Sequence, residues 1–135
     1  MPAQLKKYQG GGEIVEIALV LPLLFFLIFG IINGGLAIFD YNTLAAATRE
    51  GARCGSVLGN KSETPIDQAR ADIIACVKKY AVGLSLTSDP EVVYDPDNNP
   101  GSKVIVTTRF TFTPIAPFFG LSIPMASKAS MIIFY

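Results

Sequence analysis

The sequence contains no histidine, and its 11 basic residues are matched by 11 acidic ones. Without histidine the commonest metal ligand and general base is missing, which counts against catalysis. A net charge of zero offers no basic surface for nucleic acid. Cysteine is scarce too, with Cys54 and Cys76 the only pair. Two cysteines fall short of a zinc site, and no nucleotide-binding loop or metal-ligand spacing accompanies them, so no cofactor and no metal is implied. The pair is compatible with one disulfide in an exported domain, or with two small core residues in a reducing compartment. At 135 residues the chain is long enough for one domain and not for two.

Charge is also absent from one long stretch. Ile17 to Ile32 is uncharged and almost wholly apolar, and after Asn33 and two glycines the run resumes through Phe39. As a helix, Ile17 to Phe39 would cover roughly 35 Å, enough for the hydrocarbon core of a bilayer. A domain this small has too little interior to bury a helix that is apolar on every side. A cleaved secretory signal would be shorter and followed by a small-residue cleavage site, for which Asn33 to Ala37 is a weak match. Lys6 and Lys7 precede the span and Asp40 follows it. The positive-inside rule then keeps the first dozen residues in the cytoplasm and exports the residues after Phe39.

Several residues in and beside the span call for their own account. Pro22 removes one backbone hydrogen bond and should bend the helix or loosen it locally. Gly30 and Gly34 form a Gly-x-x-x-Gly pair, with Gly35 beside it; this is either a helix-packing contact or ordinary membrane composition. Glu16 stands one residue before the apolar run. It either snorkels into the interface or pairs with a positive charge when subunits pack, since an unpaired charge there is expensive.

Beyond the span, residues 40–58 read as a continuation of the same helix, with Leu44, Ala47 or Thr48, Gly51 or Ala52, and Gly55 at three- and four-residue spacing. This face is built of small residues, so something packs closely on it. Gly59-Asn60 should end the helix. A second helix is expected over 65–82, with Thr64 as cap and Pro65 at its first position. Its apolar stripe runs through Ile66, Ala69, Ile73, Cys76, Val77 and Tyr80, and Gly83 stops it. A Cys54–Cys76 bond would close a loop worth about 3 kcal/mol on the chain-entropy account. Strands are expected at about 91–94, 103–113 and 125–135, the first two joined across a turn-rich loop from Asp95 to Gly101. The Asp/Asn content of that loop fits an ordinary turn better than a calcium site. In the second strand Val104, Val106, Thr108, Phe110 and Phe112 share the face expected to meet the helical spine. Pro114 to Gly120 is an apolar connection, either a partner surface or a plug over the sheet edge. The last strand could be an open edge that accepts a neighbour. The fold class is α+β: a long N-terminal transmembrane helix running into a small domain with a second helix and a three- to four-stranded antiparallel sheet.

The stretch from Gly12 to Leu24, with Val15-Glu16-Ile17-Ala18-Leu19-Val20-Leu21-Pro22 at its centre, resembles the TadE-like family of pilin-like proteins of the tight-adherence secretion and pilus machinery. The likeness continues through Phe29 to Ile32 and then Asn42 to Arg53, where the family carries an Ala-Ala-Arg-x-Gly-Ala-Arg stretch. Ile17 stands where the family usually has an aromatic or apolar residue, Asn33 where an acidic one is frequent, and Cys54 where an aromatic is usual. The resemblance implies a pilin-like fold and cutting by a prepilin peptidase between Gly11 and Gly12. That leaves 1–11 as a cytoplasmic leader, 12–39 as the membrane span and 40–135 as the exported domain. Glu16 would become the fifth residue of the mature chain and neutralise the terminal amine of a neighbouring subunit. Implied partners are the inner membrane, the peptidase, other pilin or pseudopilin subunits and assembly platform proteins. The expected role is a minor pilin or pseudopilin; the alternative is an unprocessed single-span protein with an exported protein-binding module. An enzyme is not expected.

Overall fold

The computed structural model describes residues 10–115 and 120–134. Lys6 and Lys7, most of the leader, and part of the Pro114 to Gly120 connection lie outside the described residues. The chain runs α1 (Gly10–Ser56), a 3-10 turn (Asn60–Ser62), α2 (Ile66–Tyr80), β1 (Glu91–Asp95), β2 (Lys103–Phe112) and β3 (Ile123–Ile132). The described strands form one antiparallel sheet in the order β1-β2-β3.

α1 is a single helix that continues through Pro22. Its uninterrupted apolar sequence and the helix-favouring alanines beyond Asp40 leave no local reason to stop earlier. It ends at Ser56, short of Leu58, where Ser56 Oγ donates to the carbonyl of Arg53 at 2.7 Å. Gly59 is extended and caps the start of the 3-10 turn rather than the end of α1, and the left-handed residue of this junction is Glu63.

α2 begins one residue later than its sequence signals indicate. Pro65 occupies the cap position and its carbonyl accepts from the Ala69 amide at 2.8 Å. Thr64 therefore sits one residue too early to reach the first-turn amides, and its hydroxyl donates to Ser62 instead. The helix closes at Tyr80, three residues before Gly83, whose φ of 78° suits the chain reversal after it. Ala69, Ile73 and Val77 are buried, whereas Ile66 and Tyr80, at the two ends of the expected stripe, are exposed. The ends overhang the narrow surface that α1 presents.

The sheet lies on the second half of α1. Alternation in β2 buries Val104, Val106, Thr108, Phe110 and Phe112 and turns Ile105, Thr107, Arg109 and Thr111 outward. Helix and strand run in opposite directions. A methyl group built on Gly55 would meet Val104 at 2.9 Å, while Leu44 packs with Phe110 and Phe112 at the other end of the strand. Midway, Thr48 Oγ1 and Thr108 Oγ1 form a fully buried hydrogen bond of 3.0 Å, and Thr48 Oγ1 also donates to the carbonyl of Leu44. α2 covers the remaining side of α1 with Ile73 and Val77. Each fully buried aliphatic side chain of this kind contributes about 1.5–3 kcal/mol relative to exposure. Small residues on α1 are what let helix and sheet approach so closely.

One covalent tie reinforces the packing. Cys54 and Cys76 form a disulfide that joins the last turns of α1 to α2, with their Cα atoms 6.8 Å apart. Beyond Phe112 the chain returns toward the first half of α1, where the Ile115 amide donates to Asn33 Oδ1 at 3.0 Å. β3 starts at Ile123, pairs with the whole of β2, and ends with Phe134 donating its amide to the Ser56 carbonyl at 2.8 Å.

Candidate functional site

The first half of α1 is a large, exposed apolar surface. From Gly11 to Ile28 every residue is exposed, with Leu19 at 75%, Leu23 at 70% and Ile14 at 70%. Soluble single-chain proteins rarely expose so much contiguous apolar surface. Its apolar residues go all round the helix, as they do in a helix surrounded by lipid or by other helices. One helix among the described residues is long and apolar enough to cross a membrane, and this is it.

The residues singled out in the sequence lie along this surface. Gly11, Gly12, Glu16, Pro22, Gly30, Gly34 and Gly35 are all exposed. Glu16 stands at the edge of a shallow groove with Ile17, Val20, Leu21 and Leu24, and its carboxylate makes no ion pair among the described residues. Pro22 lines a second shallow groove with Phe25, Phe26 and Phe29; the Phe25 and Phe29 rings are 6.4 Å apart. No atom lies within 4 Å of a methyl group built on Gly30, Gly34 or Gly35. The fold thus brings none of these positions against the domain.

The domain carries charge only at its surface. Lys78 and Asp89 pair at 2.6 Å, Arg109 and Glu91 at 3.8 Å, and Arg53 and Glu50 at 3.6 Å, each with solvent contact. Exposed pairs of this kind contribute roughly 0–1 kcal/mol each. Burial raises the Tyr94 phenol above its usual value, and Arg70, whose guanidinium lies 5.7 Å from the ring centroid, partly opposes this. Asp97 is shifted the other way. Its carboxylate accepts hydrogen bonds from the Ser102 hydroxyl and from the backbone and side chain of Asn99, which hold its pKa below the usual carboxylate range. This knot organises the β1–β2 loop, and Asn60 docks on it through its amide to the Asn98 carbonyl at 2.9 Å. No three His, Cys, Asp or Glu side chains come together to hold a metal ion among the described residues.

Two contacts escape a reading by local pattern. Asn33 is the single polar side chain between Ile17 and Phe39, which could have marked it as a contact residue, although nothing local names Ile115 as its partner. The Thr48–Thr108 pair left no comparable mark, since threonine is common on both helix and strand.

A long apolar N-terminal helix that becomes the spine of a small α+β domain is consistent with a pilin-like α+β fold and with a membrane anchor. Residues 11–53 match the model of the TadE-like protein family. Comparison with curated proteins and with solved structures gives no match.

Proposed function

We propose that the chain is a minor pilin or pseudopilin, a structural subunit in the assembly of a tight-adherence, type IV-like pilus or secretion apparatus. The observation that carries this reading is the exposed first half of α1, which lies within the family-matched residues and joins a folded domain without a break. A helix of this kind has two environments open to it: lipid before assembly, and the helices of sister subunits after it. In this reading residues 1–11 are a cytoplasmic leader, 12–39 cross the inner membrane and 40–135 form the exported domain. The Cys54–Cys76 disulfide supports export, because such bonds persist in oxidising compartments.

The leader is cut between Gly11 and Gly12 by a prepilin peptidase, and Glu16 pairs with the new terminal amine of a neighbouring subunit. Exposure of Glu16 with no ion pair among the described residues supports that role, since a carboxylate entering an apolar helical core needs a cation. Gly30, Gly34 and Gly35 give neighbouring helices room to approach. Assembly platform proteins would handle the subunit at the membrane.

Two measurements test this. Mass spectrometry of the membrane-extracted protein should find Gly12 at the N-terminus in cells with an active prepilin peptidase; an intact Met1 would leave an unprocessed single-span protein with an exported binding module as the better account. Replacing Glu16 by alanine should leave membrane insertion intact and lower incorporation into the assembly by about tenfold or more, the scale of a broken buried ion pair. Undiminished incorporation would remove the pairing role.

A further inference from the structure

We propose that the free edge of β3 is a docking site for an extended, acidic segment of a partner protein, which joins the sheet as a fourth strand. β3 is an outer strand of the sheet. The Ile133 amide donates to the Ser102 carbonyl, on the β2 side, and the next amide, that of Phe134, donates the opposite way to Ser56. Alternation along an antiparallel ladder then turns the amides of Ser127, Ala129 and Met131 toward β2, and those of Ala126, Lys128, Ser130 and Ile132 away from it. No described backbone group bonds to these four outward amides.

The other edge of the sheet is closed. β2 turns Val104 and Val106 to β3, so Lys103, Ile105 and Thr107 bond to Asp95, Val93 and Glu91. In β1 this leaves Val92 and Tyr94 with outward amides. Pro90 and Pro96 stand at either end of that short run and have no N–H to give. Short strands and prolines are how a sheet edge is kept from pairing. β3 carries one proline, Pro124, near its start, and the run from Ala126 to Ile132 is clear of them.

The side chains beside the open edge say what fits it. Lys128 stands at its middle, exposed and without an ion pair among the described residues. Toward α1, Arg53, Val57, Met131 and Phe134 line an open groove of about 430 Å³. Val57 and Phe134 are 49% and 67% exposed, and Arg53, although paired with Glu50, keeps a side chain that is 74% exposed. Arg49, one turn earlier on the same helix face, is exposed and has no ion pair among the described residues. An added strand turns alternate side chains to the outer face beside Lys128 and to the groove beside Arg53 and Val57. Opposite charges on facing strands attract and like charges repel. A lysine in the middle of an edge thus turns away apolar strands and a second copy of the same basic strand, and admits carboxylates. The β1 edge of a second copy, with two outward amides, is too short to fill the run.

The probe is a capped peptide, Val-Glu-Val-Glu-Val-Glu-Val, added to the full-length chain in micelles and followed by amide hydrogen exchange and by the anisotropy of a labelled copy. In the chain alone the amides of Ser127, Ala129 and Met131 should be protected, and those of Ala126, Lys128 and Ser130 should not. Protection of both sets would mean an edge already filled, and would overturn the proposal. The peptide should protect the second set, and should bind about tenfold more tightly than the same peptide with lysine in place of glutamate. Lys128→Glu should cut that preference by about fivefold or more. Ser130→Pro removes only an outward N–H. It should weaken binding by about fivefold or more while leaving exchange at Met131 unchanged. Equal binding of the two peptides, no binding of the glutamate peptide, or undiminished binding to Ser130→Pro would each overturn the proposal. So would self-association of the chain alone that Ser130→Pro abolishes, which would place a second copy on the edge.

Discussion

The glycines of α1 divide the helix into two halves with opposite logic. At Gly51 an added methyl would overlap Val77, and at Gly55 it would meet Val104 and Ile73 at 2.9 and 3.1 Å. At Gly30, Gly34 and Gly35 it would meet nothing. The upper glycines are required by packing within the chain, because only a bare Cα lets helix, sheet and second helix close together. The lower ones have no such reason among the described residues. One helix thus carries a half closed on its own domain and a half that no described residue closes on, and a glycine says which only when its neighbours are known.

Opening the disulfide should produce the largest separation between the halves. Cys54 and Cys76 are 22 positions apart, and both belong to the upper half's packing. Cys54→Ser with Cys76→Ser should lower domain stability by about 3 kcal/mol. Denaturant unfolding of the full chain in micelles would measure this, with the helical signal of the lower half unchanged. A fall in that lower signal would mean that the halves are not independent.

A pair of valine substitutions sharpens the contrast further. Gly51→Val forces side-chain atoms into Val77, itself fully buried, and should destabilise the domain by about 1–3 kcal/mol through overpacking. Gly34→Val enters open space and should stay within about 0.5 kcal/mol in the same unfolding experiment. Equal effects would erase the distinction drawn from the glycines.

Much of the upper half is legible in the sequence alone. The small-residue face at Leu44, Ala47, Thr48, Gly51, Ala52 and Gly55 announces close packing, and the strict alternation from Val104 to Phe112 identifies the sheet face that meets it. Both are periodic signals, set by how side chains project from helix and strand. Helix ends are harder. Whether Pro65 caps α2 or begins it depends on one residue of backbone geometry, which composition does not encode. Long-range polar contacts are not legible: Asn33 and Ile115 are 82 positions apart, and Thr48 and Thr108 are 60 apart. In the lower half the positions of Gly11, Glu16 and Gly30 stand out in the sequence. Among the described residues nothing packs on these two glycines and no cation pairs with Glu16.

Acid provides the gentlest test of the same division, because it should act on the upper half alone. Asp97 is fully exposed, yet the Ser102 hydroxyl and the two Asn99 donors favour its charged form and lower its pKa. A carboxylate with a depressed folded-state pKa contributes stability that is present above the unfolded value, about 3.9. That contribution is lost as pH falls through the folded-state value. Protonation should therefore release Asn99 and Ser102 and loosen the β1–β2 loop, which also holds Asn60 at the end of α1. Hydrogen exchange at the Asn99 amide, corrected for its intrinsic pH dependence, should lose protection as pH falls through the lowered folded-state value. Asp97→Asn should already show reduced protection at neutral pH and little further change on acidification. Amides of Leu19 to Ile28, far from any titrating group of the domain, should keep their protection throughout. Acid-induced exchange there instead would show that the bare half depends on the domain after all.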